Sequence, residues 1–548
     1  MMNNTFFQRI VLALIVFGFT NNSYTQTLKS RPKLVVGIVV DQMRWDYLYR
    51  YSEKYTANGF KRLLGEGYSC EQTYINYFPS YTAPGHTAIY TGSVPAVHGI
   101  AANDWFERTE NKVVYCTSDT SVQSVGGSKK AGQQSPHRLY TTTICDELRL
   151  ATNFKSKTVG IALKDRGSIL PAGQAANAAY WFDGISENWI TSTYYMKELP
   201  AWVQKFNAKK LPAKYVKENW KMLLDASQYH ESTEDDKWYE RPFPNEEKPV
   251  FEHKVSEIKN QPLAEAIKSI PYGNTLTAEF AKAAIEGDTL GKRGTTDFLT
   301  VSFSPTDYIG HQFGINAIET EDTYIRLDKE IASFIDFLNE KVGKGEYLLF
   351  LTADHGGAHA VGFNKENRIP AGNVSEKEIF NMADSVLQLH FQKKNLVSAV
   401  VNQQLYLDHN NFVKEKLSTK EACEILIPVL SKIAGVDRVV AYEQLSETTL
   451  TPWFKECLSN QYKPLRTGDL QLLYHPAWMD DWAVKGTTHG SIFPYDTHIP
   501  LVFYGWGVKH GETVSKTYIT DIAPTIAALL KIQMPNGATG TPITDLFK

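Results

Sequence analysis

The sequence feature that most constrains the fold is a set of short runs in which nearly every residue is apolar. A strand with one face in water alternates apolar and polar residues, whereas a strand buried on both faces, as in a parallel sheet, reads as a continuous apolar run. We therefore predict five buried strands. They lie at 34–40, 158–163, 298–303, 347–351 and 499–504.

Helical patterns lie between these runs. In 323–338 the apolar residues keep the spacing of one helix face, and 518–530 is a second candidate helix. Strands that alternate with helices are typical of an α/β fold. The predicted architecture is a mainly parallel central sheet flanked by helices. The 548 residues, 43% of them hydrophobic, are enough for a large core.

Two long stretches fit this alternation less well. The first, near 171–274, is rich in Trp, Tyr, Lys and Glu and has weak periodicity. The second, near 363–485, contains a candidate strand at 399–407 and a candidate helix at 421–434. We interpret both as insertions on a catalytic domain that spans 26–548. They form either a cap beside the site or ordinary surface elaborations, and the sequence does not favour one over the other.

The N-terminus has the three parts of a secretory signal. A short positively charged start is followed by an apolar run at 10–19 and a polar segment at 21–25. The run is too short to span a bilayer, which needs about 20 residues. We predict that 1–25 is a signal peptide, cleaved near Thr25 or Gln26, and that the protein is periplasmic or secreted. No other stretch is long and apolar enough to predict a stable membrane span.

Charge and cysteine content exclude some functions. The formal net charge is -3, so no basic excess indicates nucleic-acid binding. The five cysteines form no Cys-x-x-Cys pair, which argues against a cysteine zinc site. Export permits disulfides, but an odd count leaves at least one thiol unpaired within the chain.

Three aspartates follow predicted strands. Asp41 comes directly after the strand at 34–40, and Asp354 and Asp307 follow 347–351 and 298–303 after short intervals. A single aspartate in this position is usually a helix N-cap. In open α/β sheets, however, ligands bind at the carboxyl ends of the strands, so three such aspartates can converge on one crevice.

Histidines accompany these aspartates. His311 lies four residues after Asp307, one helical turn away, so both side chains can reach one metal if the segment is helical. His355 directly follows Asp354, and His489 lies in a loop of small residues. A lone histidine is more often structural, but carboxylate and imidazole ligands together suit zinc.

A hydroxyl residue, Thr82, precedes a helix start marked by Pro84 and Gly85. The N-terminus of a helix presents backbone N–H groups and the positive end of the dipole, which suits an incoming phosphate. A metal bound to the hydroxyl would lower its pKa and make it a nucleophile. The commoner use of such a residue is a plain helix cap.

With these residues in place, the chain resembles the alkaline phosphatase superfamily. The resemblance rests on Pro-x-x-Thr-x-Pro-x-His at 79–86, Thr-Gly-x-x-Pro-x-x-His-Gly-Ile at 91–100, and the order of the ligands up to His489. It implies two zinc ions, with Thr82 attacking phosphorus to form a phosphothreonine that water then hydrolyses. The ligands it implies are Asp41, Thr82, Asp354 and His355 for one zinc, and Asp307, His311 and His489 for the other.

A further resemblance narrows the branch to phosphate-irrepressible, PafA-type alkaline phosphatases. Lys164 and Arg166 look like their Lys-x-Arg motif, and Asn103 matches their phosphate-contacting asparagine. A monoester dianion exposes more oxygen charge than a diester, so a lysine and an arginine placed on it stabilise the transition state. The alternative for the Lys-x-Arg pair is a solvated strand end with an ion pair to Asp165.

These observations predict an alkaline phosphatase that hydrolyses small-molecule phosphate monoesters and acts as a monomer. The alternatives are a nucleotide phosphodiesterase of the same superfamily and a non-catalytic phosphate-binding protein. Sulfatase chemistry is disfavoured because Thr82 stands where a Cys or Ser is needed and no Arg follows in the required context. We find no clear counterpart of the extra magnesium ligands of some alkaline phosphatases, and Lys164 is a candidate for that space.

Overall fold

The computed structural model describes residues 31–259 and 262–547. The predicted signal peptide, 1–25, lies outside the described residues.

The strands fall into one large sheet and three smaller ones. They are β1 Leu34–Val40, β2 Tyr68–Tyr74, β3 Asp104–Glu107, β4 Lys112–Tyr115, β5 Ser124–Val125, β6 Thr158–Ala162, β7 Ala178–Asp183, β8 Asn188–Ser192, β9 Asp297–Phe303, β10 Tyr347–Thr352, β11 Gly372–Val374, β12 Val397–Val401, β13 Gln404–Leu407, β14 Val436–Ala441, β15 Leu470–Tyr474, β16 Trp478–Asp480, β17 His498–Ile499, β18 Leu501–Gly505 and β19 Gly511–Tyr518.

The helices lie between and around these strands. They are α1 Tyr47–Arg50, α2 Phe60–Glu66, α3 Thr82–Thr91, α4 Pro95–His98, α5 Ile144–Ala151, α6 Asp165–Ala172, α7 Ala201–Asn207, α8 Leu211–Val216, α9 Tyr272–Gly287, α10 Pro305–Phe313, α11 Ile318–Leu338, α12 Val361–Glu366, α13 Glu376–Phe391, α14 His409–Glu415, α15 Thr419–Leu430, α16 Pro452–Gln461, α17 Pro494–Thr497 and α18 Ile522–Leu530.

The central sheet has the order β17-β2-β18-β10-β1-β9-β6-β7-β8-β5, with β19 paired to β2. The neighbours β10, β1, β9, β6 and β7 all run parallel. Every residue of β1, β9 and β10 is buried, as the continuous apolar runs predicted. The predicted α/β class with a mainly parallel sheet is thus confirmed.

Register places the carboxyl ends of these strands side by side. Val40, the last residue of β1, pairs with Phe303, the last residue of β9. Thr352 at the end of β10 pairs with Val39, and Ala162 at the end of β6 pairs with Ser302. Residues that follow these four strands therefore emerge at one edge of the sheet.

The prediction of a parallel strand at 499–504 was wrong. Pro500 divides the run into β17 and β18, because proline has no N–H to donate to a sheet ladder. β18 also runs antiparallel to β10. Continuous burial was correctly inferred from the apolar run, but burial does not fix strand direction.

The stretch 363–485 builds a sheet of its own, β12-β13-β15-β14, with a separate hydrophobic core. The single strand predicted at 399–407 is instead a hairpin of β12 and β13. Asn402 and Gln403 turn the chain with φ of 55° and 61°. In the other stretch, 171–274, β7 and β8 belong to the central sheet, so only part of it lies outside that sheet.

The cysteines and the helices bear on two expectations from the sequence, disulfide pairing and membrane spans. All five cysteines are buried and unpaired, and burial raises the pKa of the Cys70 thiol to about 12. None of the helices formed by the described residues is long and apolar enough to cross a membrane.

Candidate active site

The aligned ends of β10, β1, β9 and β6 deliver four charged side chains to one place. Asp354 follows β10, Asp41 follows β1, Asp307 lies in the first turn of α10 after β9, and Lys164 follows β6. All four are buried, with exposed fractions of 0% to 4%. Because burying a charge is costly unless it is compensated, this cluster must be neutralised by its own contents or by a bound ion.

One set of predicted metal ligands meets around His355. Its Nε2 lies 3.5 Å from Asp41 Oδ1, 3.4 Å from Asp354 Oδ2 and 3.4 Å from Thr82 Oγ1. Its Nδ1 donates to the carbonyl oxygen of Gly356 at 2.9 Å, so Nε2 carries the lone pair that faces the carboxylates. The four residues predicted for one zinc are thus brought together.

A second set forms around Asp307. Its Oδ1 lies 3.1 Å from His311 Nε2 and 3.6 Å from His489 Nε2. The Nδ1 atoms of the two histidines donate to the carbonyl oxygens of Thr487 and Ser80, each at 2.8 Å. Both imidazoles therefore turn Nε2 toward the carboxylate while Nδ1 is engaged with a backbone carbonyl, which is the orientation that metal-binding histidines adopt.

The two sets adjoin each other. The rings of His355 and His489 stack with centroids 3.5 Å apart, and ligand atoms of Asp41, Asp307 and His355 lie within 4.8 Å of one another. Burial lowers the pKa of both stacked histidines, which favours the neutral form that binds metals.

Unpartnered oxygens show that the residues present fit divalent cations. Asp41 Oδ1 is fully buried and accepts no hydrogen bond from the described residues, and Asp354 Oδ2, equally buried, lies 3.2 Å from His86 Nδ1, which is bonded to the Thr82 carbonyl oxygen. Burial and the nearby Asp354 also raise the pKa of Asp41 well above its usual range. Three buried carboxylates face a single buried lysine, so positive charge is lacking. The carboxylate and imidazole donors suit zinc.

Lys164 bridges the two sets. Its Nζ donates to Asp41 Oδ2 at 2.7 Å and to Asp307 Oδ2 at 2.5 Å. Burial alone would lower the pKa of Lys164, but the carboxylates of Asp307 and Asp41 raise it. The alternative of a solvated strand end paired with Asp165 therefore does not describe this lysine.

Thr82 is the first residue of α3, and the N-cap position belongs to Tyr81. The Thr82 hydroxyl faces His355 and does not cap the helix, so a plain capping role does not describe it. At Gly85 an added Cβ would lie 2.3 Å from the carbonyl oxygen of Asp354. The glycine therefore lets the start of the helix approach the end of β10.

The Asn103 side chain is held by the start of α3, and that of Arg166 is held by the hairpin of β3 and β4. Asn103 Oδ1 accepts the Ala83 N–H at 2.9 Å, which directs the amide NH2 group away from that bond. Arg166 Nη1 donates to the Tyr115 hydroxyl at 3.1 Å, and that hydroxyl donates to Asp165 Oδ1 at 2.5 Å. The buried Arg166 Nε makes no hydrogen bond with the described residues.

Sequence reasoning gave no role to three residues that position the site, although one of them, His86, ends the motif at 79–86. Gln42 donates through Nε2 to Asp307 Oδ1 at 2.9 Å and through its backbone N–H to Asp354 Oδ1 at 3.2 Å. Its φ of 62° is unusual for a residue other than glycine. His86 Nδ1 donates to the Thr82 carbonyl oxygen at 2.9 Å, and Tyr115 orients the guanidinium group.

Both irregular stretches reach the site near His311. Trp482, from the second stretch, has its ring centroid 5.3 Å from that of His311. From the first stretch, the Arg241 backbone N–H donates to the carbonyl oxygen of Gln312 at 2.9 Å. Each stretch therefore contributes residues beside the second ligand set.

The chain is similar to one family model and, over nearly its full length, to several bacterial proteins. The family model described as type I phosphodiesterase / nucleotide pyrophosphatase matches residues 35–491. A Myroides odoratus protein named calcium-transporting ATPase is 51% identical over 521 residues, which cover 94% of this chain and 95% of that protein. Alkaline phosphatase PafA of Elizabethkingia meningoseptica is 46% identical over 535 residues, 97% of this chain and 98% of the relative.

Solved structures agree with the sequence relatives. The crystal structure of wild-type alkaline phosphatase PafA superposes with a TM-score of 0.91 at 46% identity, covering 94% of this chain and 99% of that one. A variant of PafA has also been solved in which one threonine, one asparagine, one lysine and one arginine are replaced.

Proposed function

The chain belongs to the type I phosphodiesterase / nucleotide pyrophosphatase family and, within it, to the PafA-type alkaline phosphatases, and from this membership we propose that it is an exported phosphomonoesterase with two zinc ions and Thr82 as its nucleophile. The observation that carries the proposal is the buried Lys164 between the two metal-ligand sets, with Arg166 following it. These cations suit a phosphate group with unshielded oxygens. The PafA variant replaces the same four residue types as Thr82, Asn103, Lys164 and Arg166.

Each ligand set would hold one zinc ion. The first set is Asp41, Thr82, Asp354 and His355, and the second is Asp307, His311 and His489. When bound, a pair of divalent ions supplies positive charge for both the attacking and the leaving oxygen of an in-line displacement.

The chain's own residues account for the steps at phosphorus. Thr82 Oγ attacks the phosphorus atom, an Oγ–P bond forms, and the ester P–O bond breaks as the alcohol leaves with a proton. Water then attacks the phosphothreonine, releases inorganic phosphate and restores the hydroxyl. His86 holds the backbone of the nucleophile through the Thr82 carbonyl oxygen, which fixes the direction of attack.

Three side chains stabilise the transferred phosphoryl group. Lys164 and Arg166 supply positive charge to its non-bridging oxygens, and Asn103 supplies amide N–H donors. A diester carries an alkyl or aryl group on one of these oxygens, so it makes less use of these donors. The arrangement therefore favours monoesters over the diesters that a nucleotide phosphodiesterase would prefer.

The name of the Myroides odoratus relative points to ATP as a further substrate. The terminal phosphoryl group of ATP has three non-bridging oxygens, as a monoester has, so the same residues suit its hydrolysis.

Export is part of the proposal because residues 1–25 have the pattern of a cleaved signal. N-terminal sequencing of the protein recovered from the periplasm or medium tests it. A start near residue 26 supports export, whereas an intact N-terminus in the cytoplasm contradicts it.

Metal removal tests the proposed function. We expect a chelator to abolish phosphate release from an aryl phosphate monoester and Zn²⁺ to restore it, with about two zinc ions per chain by elemental analysis. His489→Ala should lose one of the two ions. His390→Ala removes an exposed histidine that pairs with Glu421, and it should keep both. Full activity in metal-free protein would contradict the two-metal site, and phosphate binding without turnover would favour the non-catalytic alternative.

A further inference from the structure

Trp482 stands out because it is a large aromatic residue exposed at the edge of the site. It lies in a short 3-10 helix, Asp481–Ala483, and 53% of its surface is accessible. Its ring centroid is 5.3 Å from that of His311, with the rings tilted by 57°. A single exposed apolar residue needs no explanation elsewhere on a protein. This one contacts a proposed metal ligand.

Exposure of the ligands shows where the site opens. The His311 side chain is 22% exposed, whereas those of His489 and His355 are 4% and 0% exposed. The site is therefore closest to solvent at His311, and Trp482 lies on the rim of that opening.

The direction of the reaction places the leaving group at the same opening. Thr82 belongs to the ligand set around His355, so it attacks phosphorus from that side. In an in-line displacement the departing oxygen lies opposite the nucleophile, toward the set that includes His311. The alcohol part of the substrate then projects past His311 and along Trp482.

Two cationic residues lie next to this opening. Arg241 Nη2 donates to the carbonyl oxygen of Lys485 at 3.0 Å, and the Arg241 backbone N–H bonds Gln312, the neighbour of His311. Both side chains are exposed. The rim therefore presents an aromatic surface among charged side chains, including Asp481 directly before Trp482, and the indole is the part of it that suits a planar ring.

We propose that Trp482 forms a leaving-group subsite that binds the aromatic ring of aryl and nucleoside monophosphates by stacking. The proposal rests on the proposed phosphomonoesterase function and adds a substrate preference to it.

The test compares kcat/KM of wild type and Trp482→Ala on phenyl phosphate, AMP and ethyl phosphate. We expect a loss of about 3- to 10-fold on the two aromatic substrates, the size expected for one ring contact, and a loss of less than about 2-fold on ethyl phosphate. Using ratios between variants cancels the intrinsic reactivity of each ester. Trp482→Phe should restore most of the loss, whereas Trp482→Leu should not.

Inhibition gives a readout that does not depend on turnover. Phenylphosphonate should bind Trp482→Ala about 3- to 10-fold more weakly than wild type, whereas the inhibition constant of inorganic phosphate and the zinc content should stay unchanged. Phe154→Ala is a matched control. It removes another exposed aromatic side chain, 54% accessible, from the loop before the amino end of β6. It should leave all these values unchanged.

The results distinguish ring stacking by Trp482 from support of His311. Equal losses on all three substrates, or a fall in zinc content, would assign Trp482 to support of His311 and overturn the subsite. No loss on any substrate would also overturn it. If wild type hydrolyses none of the three esters in the presence of zinc, the phosphomonoesterase proposal fails, and that failure is distinct from a failure of the subsite alone.

Discussion

Replacing Thr82 with alanine should lower the turnover of phosphate monoesters by about 10³-fold or more. The hydroxyl lies 3.4 Å from His355 Nε2 at the start of α3 and is not used as a helix cap. Its removal deletes the group that we propose forms the covalent intermediate, and the remaining site would offer only binding and charge. Thr82→Ser keeps a hydroxyl and should retain much more activity than Thr82→Ala.

Steady-state kinetics with an aryl phosphate measure this effect, with zinc content determined on the same samples. Zinc content matters because Thr82 is also a proposed ligand, and loss of an ion would mimic loss of the nucleophile. Brief incubation of wild type with substrate, acid quenching and peptide mass analysis should detect phosphate on Thr82. Near-normal turnover in a zinc-loaded Thr82→Ala enzyme would exclude the covalent mechanism.

Lys164→Ala and Arg166→Ala should each reduce kcat/KM for monoesters by about 10²- to 10³-fold, and should reduce diester hydrolysis much less. The reason is the charge of the substrate, since a monoester dianion presents one more anionic oxygen than a diester. Arg166 gives the cleaner test. It is held by Tyr115 and makes no ion pair with a proposed metal ligand, whereas Lys164 bonds both Asp41 and Asp307.

The measurement compares an aryl phosphate with its methyl diester for each variant. Lys157→Ala is a matched control because it removes a lysine from the amino end of β6, where the side chain pairs with Asp288. That change should affect neither substrate. Equal losses on monoester and diester in Lys164→Ala and Arg166→Ala would contradict the proposed role of their charges.

Much of the framework was predictable because the strands that carry the site are buried on both faces. Continuous apolar runs mark such strands, and an aspartate after each run marks the carboxyl edge of the sheet. This is why Asp41, Asp307 and Asp354 could be placed together from the sequence. His311 could be assigned to Asp307 because a four-residue spacing is one turn of a helix, and α10 provides that helix.

Other parts depend on contacts between distant segments that local patterns do not encode. The direction of β18 is set by pairing with β10 and β2, so its apolar sequence could not reveal it. The turn at Asn402 and Gln403 lacks the glycine that usually signals a tight hairpin. Gln42 holds Asp307 across 265 positions of sequence, and no local motif indicates such a contact.

The structure also bears on the alternative considered for Lys164. In the sequence, its neighbour Asp165 is the obvious ion-pair partner, which left a solvated strand end as the alternative to a place in the site. In the fold, Asp165 instead accepts the Tyr115 hydroxyl, while Lys164 turns inward between two carboxylates. The parallel order of β1, β9 and β6 brings these residues together, and that order is a property of the whole sheet.

The central claim, that this is a phosphomonoesterase, is tested most directly on the wild-type enzyme. The measurement is kcat/KM for an aryl phosphate monoester and for the methyl diester of the same aryl alcohol, with zinc supplied. We predict that the monoester is hydrolysed much faster, because only its dianion makes full use of Lys164 and Arg166. Faster hydrolysis of the diester would contradict the claim and identify the chain as a phosphodiesterase.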